Sequence, residues 1–571
     1  MADEAANERE ILELWDFTRR SIVGWNAFID TPFGRRRLTY ADFTASGRAV
    51  GFLEDYVRDL LELYGNTHTE DDATGITTSQ RLLQAEDSIK RCLNAGYDYK
   101  LFATGAGTTG AVHLLQQILG VYIPPAAKDM LEFMGEDFMG EGDYARFIKH
   151  VRTRGPVVLV GPYEHHSNEV SWRECMAEVV EVELTPEGLL DLKDLEAKAS
   201  CPEYKGRRLI GAFSAASNVS GVKTPVYEVA RILHKHGALA FFDFAASAPY
   251  EKINMNMDRD SYSDAVYFSP HKMLGGPGAS GILLIHQKIY RADLPPTVGA
   301  GGTIDFVNFD GQVYTPDIEA REKPGTPGII QTLRAALALE LKEALNPDLM
   351  ELKERDYTER ARGLFKAVPA IILMGDVDPW HRLPIFSFNI KVGSSYLHPR
   401  FISTLLNDLF GIQSRAGCSC AAPYGHRILH IDRQKSEAIR KAVTCGNEGL
   451  KPGWARVNFH FLHTDAEFEF ITRAIIFIAL RGSSFLPLYA FDIRKGTWRH
   501  RSFSYPRASF GLDDALHRER APSPKEAEMP QAELFTEYLQ EAEKLADKLD
   551  RAYAGWELKS TEKDLIPFVY S

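Results

Sequence analysis

Cysteine is scarce in this chain, with six residues among 571, and their spacings follow no regular framework. That argues against a disulfide scaffold and for free thiols in a reducing compartment. Basic charge is also in deficit: 66 Lys and Arg stand against 78 Asp and Glu, a net charge of -12. A nucleic-acid or anionic-membrane surface is not expected from such a balance. The first ten residues, MADEAANERE, lack an apolar signal core and are too acidic for a transit peptide. No apolar run approaches the length needed to span a bilayer. Cytoplasmic location, with no membrane partner, is the resulting expectation. Internal repeats and long low-complexity tracts are missing as well. What remains is an ordinary globular composition, 44% hydrophobic and 25% charged, in a chain long enough for two domains or more.

From about residue 100 to 285, short apolar runs alternate with amphipathic segments. Leu101 to Thr104, Val157 to Val160, Leu209 to Phe213, Leu239 to Phe242 and Ala265 to Phe268 read as strands, and Val226 to His236 reads as a helix. This alternation predicts a largely parallel sheet covered on both faces, with any ligand at the carboxyl ends of the strands. Those ends carry Thr108 and Thr109, His165, Asn218, Asp243, and Ser269 with Lys272.

The stretch Ser269-Pro-His271-Lys272-Met-Leu-Gly-Gly-Pro-Gly-Ala-Ser-Gly281 lies between two such apolar runs. Its glycines allow a flat ligand to approach the backbone closely. A lysine at a buried strand end is costly to keep charged, so its amine is expected to be nucleophilic. Such an amine condenses with an aldehyde, and pyridoxal phosphate is the common protein-bound one. Gly105-Ala-Gly-Thr-Thr-Gly110 opens a helical pattern and presents backbone N–H groups suited to a phosphate. Asp243 ends the most apolar strand. It fits either a helix N-cap or the partner of a cationic ring nitrogen. His165, in Glu164-His-His-Ser-Asn168, fits either a loop hydrogen bond or a proton shuttle above a ring.

Taken in order, these segments resemble the class V, fold-type I pyridoxal-phosphate enzymes, in particular the cysteine desulfurase and selenocysteine lyase group. The resemblance runs from about Leu38 to Leu480. Tyr40-Ala-Asp-Phe-Thr-Ala-Ser is similar to the N-terminal substrate-side strand, and Tyr64-Gly-Asn66-Thr-His68 to an Asn-x-His segment near the substrate. Gly107-Thr-Thr resembles the phosphate turn, and His165 the ring-stacking histidine. Ser217-Asn218-Val-Ser-Gly resembles the loop that reaches the ring hydroxyl. Asp243 matches the pyridine-nitrogen aspartate and Ser269-Pro-His-Lys the Schiff-base signature. Gly325-Thr326-Pro resembles the segment whose threonine completes the neighbouring subunit's phosphate site, which implies a homodimer with shared active sites. Arg456 stands where the family holds the substrate carboxylate. One departure is Ala246, where the family usually has a glutamine beside the ring oxygen.

Ser414-Arg415-Ala-Gly-Cys418-Ser-Cys420-Ala resembles the Arg-x-Gly-x-x-Cys-Ala loop of these enzymes, which implies that Cys420 accepts the sulfur. A thiol near Arg415 can attack a substrate sulfur and hold it as a persulfide. Cys418 is an extra thiol, either resolving or idle. The nearby His426 and His430 complete no standard zinc spacing, and no metal is expected.

The resemblance implies an α/β architecture. A large doubly wound, mostly parallel domain with a seven-stranded type of sheet would span 46–335, and a smaller α+β domain 336–485, joined by residues 1–45. Residues 486–571 form an extension with one amphipathic helix, Gln531 to Ala554, after a charged linker from His517 to Pro530. Val121 to Val151 reads as an insertion at the active-site entrance. The implied activity is removal of sulfur or selenium from L-cysteine or a related amino acid, with a sulfur-acceptor protein as a further partner. The alternatives are another C–S lyase, a molybdenum-cofactor sulfurase-like protein, an epimerase, or a non-catalytic relative.

Overall fold

In a computed structural model, residues 2–67, 69, 71–517, 529–554, 559–561 and 565–570 are described. The chain divides into two compact units: residues 1–21, 44–352 and 381–383 form the first, and 22–43, 353–380 and 384–571 the second. The helix Ala2–Ser21 thus groups with the first unit, although the segment up to residue 45 was expected with the small domain.

The first unit is built on a seven-stranded sheet. Its strands run, across the sheet, Tyr99–Thr104, Gly281–His286, Ala265–Phe268, Leu239–Asp243, Leu209–Ser214, Val157–Val160 and Glu178–Glu181. The five strands from Ala265–Phe268 to Glu178–Glu181 pair in parallel, and Gly281–His286 runs antiparallel to both its neighbours. The central runs are buried on both faces, which is why they read as unbroken apolar segments. Helices from two directions cover the sheet, so its residues divide between two hydrophobic clusters. The expected fold class is therefore what the structure has.

The segment 121–151 forms two helices, Pro125–Met139 and Glu141–Arg154, with no buried side chain in either. None of their residues lines the cavity at the strand ends described below.

The second unit has its own sheet, in the order Arg415–Gly417, Trp454–Asn458, Ile385–Val392, Ser395–Leu397, Phe568–Tyr570 and Lys559–Ser560, with Ile371–Leu373 added on Ile385–Val392. The C-terminal extension is part of this fold. Phe568–Tyr570 pairs in parallel with Ser395–Leu397. The helix Gln531–Ala552 buries Phe535, Tyr538, Leu539, Ala542, Ala546 and Leu549, and Phe535 stacks on Phe470 at 3.9 Å between centroids. Most of the linker expected from His517 to Pro530 lies outside the described residues.

One expectation needs correction. Among the described residues one helical stretch, Asp465–Leu488, is long and apolar enough to cross a bilayer. Arg473 and Arg481 interrupt its apolar run, which is why the unbroken-run criterion passed over it. Its Phe468, Phe470, Ile471, Ala474, Ile475 and Ile478 are buried in the core of the second unit.

Candidate active site

A cavity of about 360 Å³ opens at the carboxyl ends of the first unit's strands. That is within the range of small-ligand sites, roughly 300–1,000 Å³. Thr108, Thr109, His165, Asn218, Asp243, Ser269, His271 and Lys272 all line it, together with Ala246.

Local structure explains how each side chain is placed. The helix Thr108–Ile118 starts at the cavity wall, so its positive dipole end faces a prospective anion. Thr108 N donates to Ser269 Oγ at 2.8 Å, and Ser269 Oγ is 3.0 Å from Thr108 Oγ1. His271 Nδ1 donates to the Ala106 carbonyl at 2.8 Å, which leaves Nε2 as the imidazole's acceptor while it is neutral. Burial holds the His271 pKa below its ordinary value, helped by the nearby Lys272 charge. A Cβ at Gly107 would fall 2.8 Å from Ser269 Oγ and 2.9 Å from His271 Cε1, so only glycine keeps this cradle open.

Asp243 is 3% exposed, and its Oδ1 accepts from Ala245 N at 2.8 Å. Burial raises its pKa to about 6, against the pull of that hydrogen bond and of the Lys272 charge. His165 caps the helix His166–Arg173, its Nδ1 accepting from Ser167 N at 3.1 Å. Ser167 Oγ in turn lies 2.7 Å from Thr109 Oγ1, which ties the histidine loop to the glycine-rich turn.

Beneath this layer lies a buried group to which the sequence reading gave no role. Glu164 receives hydrogen bonds from Gly161 N, Asn168 Nδ2, Ser214 N and Ser214 Oγ, between 2.5 and 3.1 Å. Burial nevertheless pushes its carboxyl up to about 7, with the Asp243 charge adding to the rise. Glu164 joins the ends of two neighbouring strands, since Gly161 follows Val160 and Ser214 closes Leu209–Ser214. An acidic residue four positions after the end of a wholly apolar strand was the available signal.

The remaining expected site residues that are described are not among those lining the cavity. Asn66 and Thr326 pair with each other, Nδ2 to Oγ1 at 3.1 Å, and Thr326 is exposed. His68 lies outside the described residues. In the second unit, Arg415 and Arg456 face each other across an antiparallel strand pair. Asp42 bridges them: Arg456 Nη2 donates to Oδ1 at 3.0 Å and Arg415 Nε to Oδ2 at 3.2 Å. Arg456 is buried and Arg415 exposed. Cys420 is exposed and Cys418 half-buried, both as free thiols.

Comparison with known proteins gives this arrangement a family. The sequence pattern described as aminotransferase class-V matches residues 145–460, more than half of the chain. The chain belongs to the class-V aminotransferase family. Within it, a probable cysteine desulfurase of Halalkalibacterium halodurans is 27% identical over 403 residues, covering 69% of this chain and 87% of that protein. A probable cysteine desulfurase of Staphylococcus aureus strain Mu50 is 27% identical over 404 residues, with 69% and 86% covered. Among solved structures, the apo cysteine desulfurase from Thermococcus onnurineus NA1 superposes with a TM-score of 0.62 at 22% identity, covering 81% of this chain and 97% of that one. The Escherichia coli cysteine desulfurase CsdA gives 0.55 at 20%, covering 76% and 93%. At such identities the structures establish the shared fold.

Class-V aminotransferases use pyridoxal phosphate, and the cavity fits that group. It combines an amine, a buried carboxylate, an open glycine cradle and a helix N-terminus in one enclosure.

The Asp243 carboxylate has a measurable cost. Its folded pKa, about 6, lies above its ordinary 3.8, so its protonated form favours the fold. That contribution is fully present below the unfolded pKa and is lost as pH rises through about 6. Freed of cofactor, the Asp243→Asn protein is expected to exceed wild type by about 3 kcal/mol at pH 8 and to match it near pH 3.8. Urea midpoints at the two pH values check this, and an equal or lower midpoint for the variant at pH 8 would refute it.

Proposed function

We propose that the chain is a pyridoxal-phosphate-dependent, cysteine desulfurase-like enzyme. It takes sulfur, or selenium, from L-cysteine or a related amino acid, leaving alanine and a persulfide on Cys420. The observation that carries this reading is the convergence of Lys272, Asp243 and the Gly107–Thr108–Thr109 helix entrance on one cavity. The names of its relatives in the class-V family, probable cysteine desulfurases, support it.

Bound in the cavity, pyridoxal phosphate supplies an electron sink for the substrate's Cα. Lys272 would hold the cofactor and then act as general base at Cα once its amine is displaced. Asp243 would keep the ring nitrogen protonated, and Asn218 would meet the ring oxygen, alone where the family's glutamine is replaced by Ala246. Thr108, Thr109, Ser269 and His271 would hold the phosphate end, with Thr326 serving the neighbouring subunit of a homodimer. His165 would relay a proton through Nε2, since Nδ1 is committed to Ser167 N. Arg456, with Arg415, would take the substrate carboxylate through its planar fork, which Asp42 already orients. Asn66 and His68 complete the substrate-side set. A cytoplasmic location and a protein acceptor for the sulfur belong to the same reading.

The direct test is to supply pyridoxal phosphate and L-cysteine and identify the carbon product. Alanine is expected as the carbon product, with the substrate's sulfur leaving by way of Cys420. Pyruvate with free sulfide and no alanine would replace this reading with a plain C–S lyase, and the absence of any turnover would favour a non-catalytic relative.

A further inference from the structure

The loop bearing Cys420 holds two thiols on a backbone with an uncommon conformation. Ser419 and Cys420 both have φ of +54°, consecutive left-handed residues with neither being glycine. Ala421 N donates to the Cys418 carbonyl at 3.2 Å, closing a four-residue turn from Cys418 to Ala421. The turn is held from below: the buried Trp454 donates from Nε1 to Ser419 Oγ at 3.2 Å. Trp454 is also the strand partner of Gly417, the residue before the turn.

This geometry fixes how far apart the two cysteines are. Two Cα–Cα steps of about 3.8 Å, folded to roughly a right angle at a left-handed residue, place Cα of Cys418 and Cys420 about 5.4 Å apart. A disulfide spans roughly 4.4–6.8 Å between Cα atoms. In an extended strand the same two residues would be about 6.7 Å apart, at the far limit of that range, with side chains on the same face. Cys420 is exposed and able to receive sulfur, while Cys418 sits half-buried on the same turn.

We propose that Cys418 is a resolving thiol for a persulfide on Cys420, so that the loop releases sulfide and closes a Cys418–Cys420 disulfide. This rests on the desulfurase reading for the origin of the persulfide. In the step itself, the Cys418 thiolate attacks Cys420 Sγ and forms the new S–S bond. The bond from Sγ to the outer sulfur breaks, and that sulfur leaves with the electron pair as hydrosulfide. The Cys418 proton passes to water. Two thiol sulfurs are thereby oxidised to a disulfide while one sulfane sulfur is reduced to sulfide, so no outside oxidant enters. A thiol or dithiol reductant then reopens the pair, which makes each further round of sulfide release dependent on reductant.

The test uses the full-length holoenzyme with one equivalent of L-cysteine, no reductant, rapid alkylation and mass spectrometry of the 415–423 region. Wild type is expected to show the Cys418–Cys420 disulfide and to release sulfide. Cys418→Ser is expected to keep the persulfide on Cys420 and to release sulfide roughly tenfold more slowly or worse. A persulfide that persists equally in both proteins overturns the proposal. If neither protein takes sulfur from cysteine, the desulfurase reading has failed instead. Inorganic polysulfide then loads Cys420 directly: disulfide formation in wild type alone sustains the resolving pair, and a stable persulfide in wild type overturns it.

Discussion

Lys272→Ala is expected to yield a folded protein to which borohydride fixes no pyridoxal phosphate, whereas wild type is labelled at Lys272 itself. The effect should be all or none, because a covalent link has no partial substitute among the other groups lining the cavity. The substitution removes an amine that shares the enclosure with Asp243, whose pKa already responds to the lysine's charge. The rest of the wall stays in place, since Ser269, Thr108 and His271 are held by their own hydrogen bonds. Cofactor should therefore still associate weakly and exchange out on dialysis. Peptide mapping of the reduced protein is the measurement. A stable label on a different lysine would mean that the cavity has been assigned to the wrong chemistry.

Cys420→Ala should separate sulfur transfer from everything that precedes it. The residues expected to hold the cofactor all belong to the first unit and Cys420 to the second, so cofactor loading is expected to be unchanged. Alanine formation from L-cysteine should fall by two orders of magnitude or more, on the order of a lost nucleophile. Activity toward selenocysteine should fall less, because selenium is the better leaving atom and depends less on attack by a thiolate. Alanine produced from cysteine at the wild-type rate by Cys420→Ala would move the reading to a plain lyase.

The features legible in the sequence were those that rest on local pattern. Val157 to Val160 and Ala265 to Phe268 were placed at their observed bounds, because strands buried on both faces are apolar without interruption. The edge strand Glu178–Glu181 escaped notice, since its Glu-Val-Val-Glu is short and half-exposed. The strand-end residues of the first unit were legible because sheet topology alone brings carboxyl ends together, and the cavity holds all of those named. What stayed hidden depends on pairing between distant segments. Nothing near Asp42 announces that it bridges two arginines more than 370 positions away. Likewise, no local signal says that Phe568–Tyr570 adds a strand beside Ser395–Leu397. The left-handed turn at Ser419 and Cys420 was unreadable for a different reason: glycine is the usual marker of positive φ, and here neither residue is one.

The N-cap at His165 limits what any experiment on that residue can mean. Its imidazole serves two clients at once, a backbone N–H at the helix start and the open space of the cavity. Truncation to alanine dismisses both, so a loss of activity would mix a frayed helix with a missing relay. Asparagine is among the best residues at such a position and keeps an acceptor for the helix, yet it carries no proton at neutral pH. The comparison of His165→Asn with His165→Ala therefore isolates the scaffold's share of the loss, and what the asparagine protein still lacks belongs to the ring.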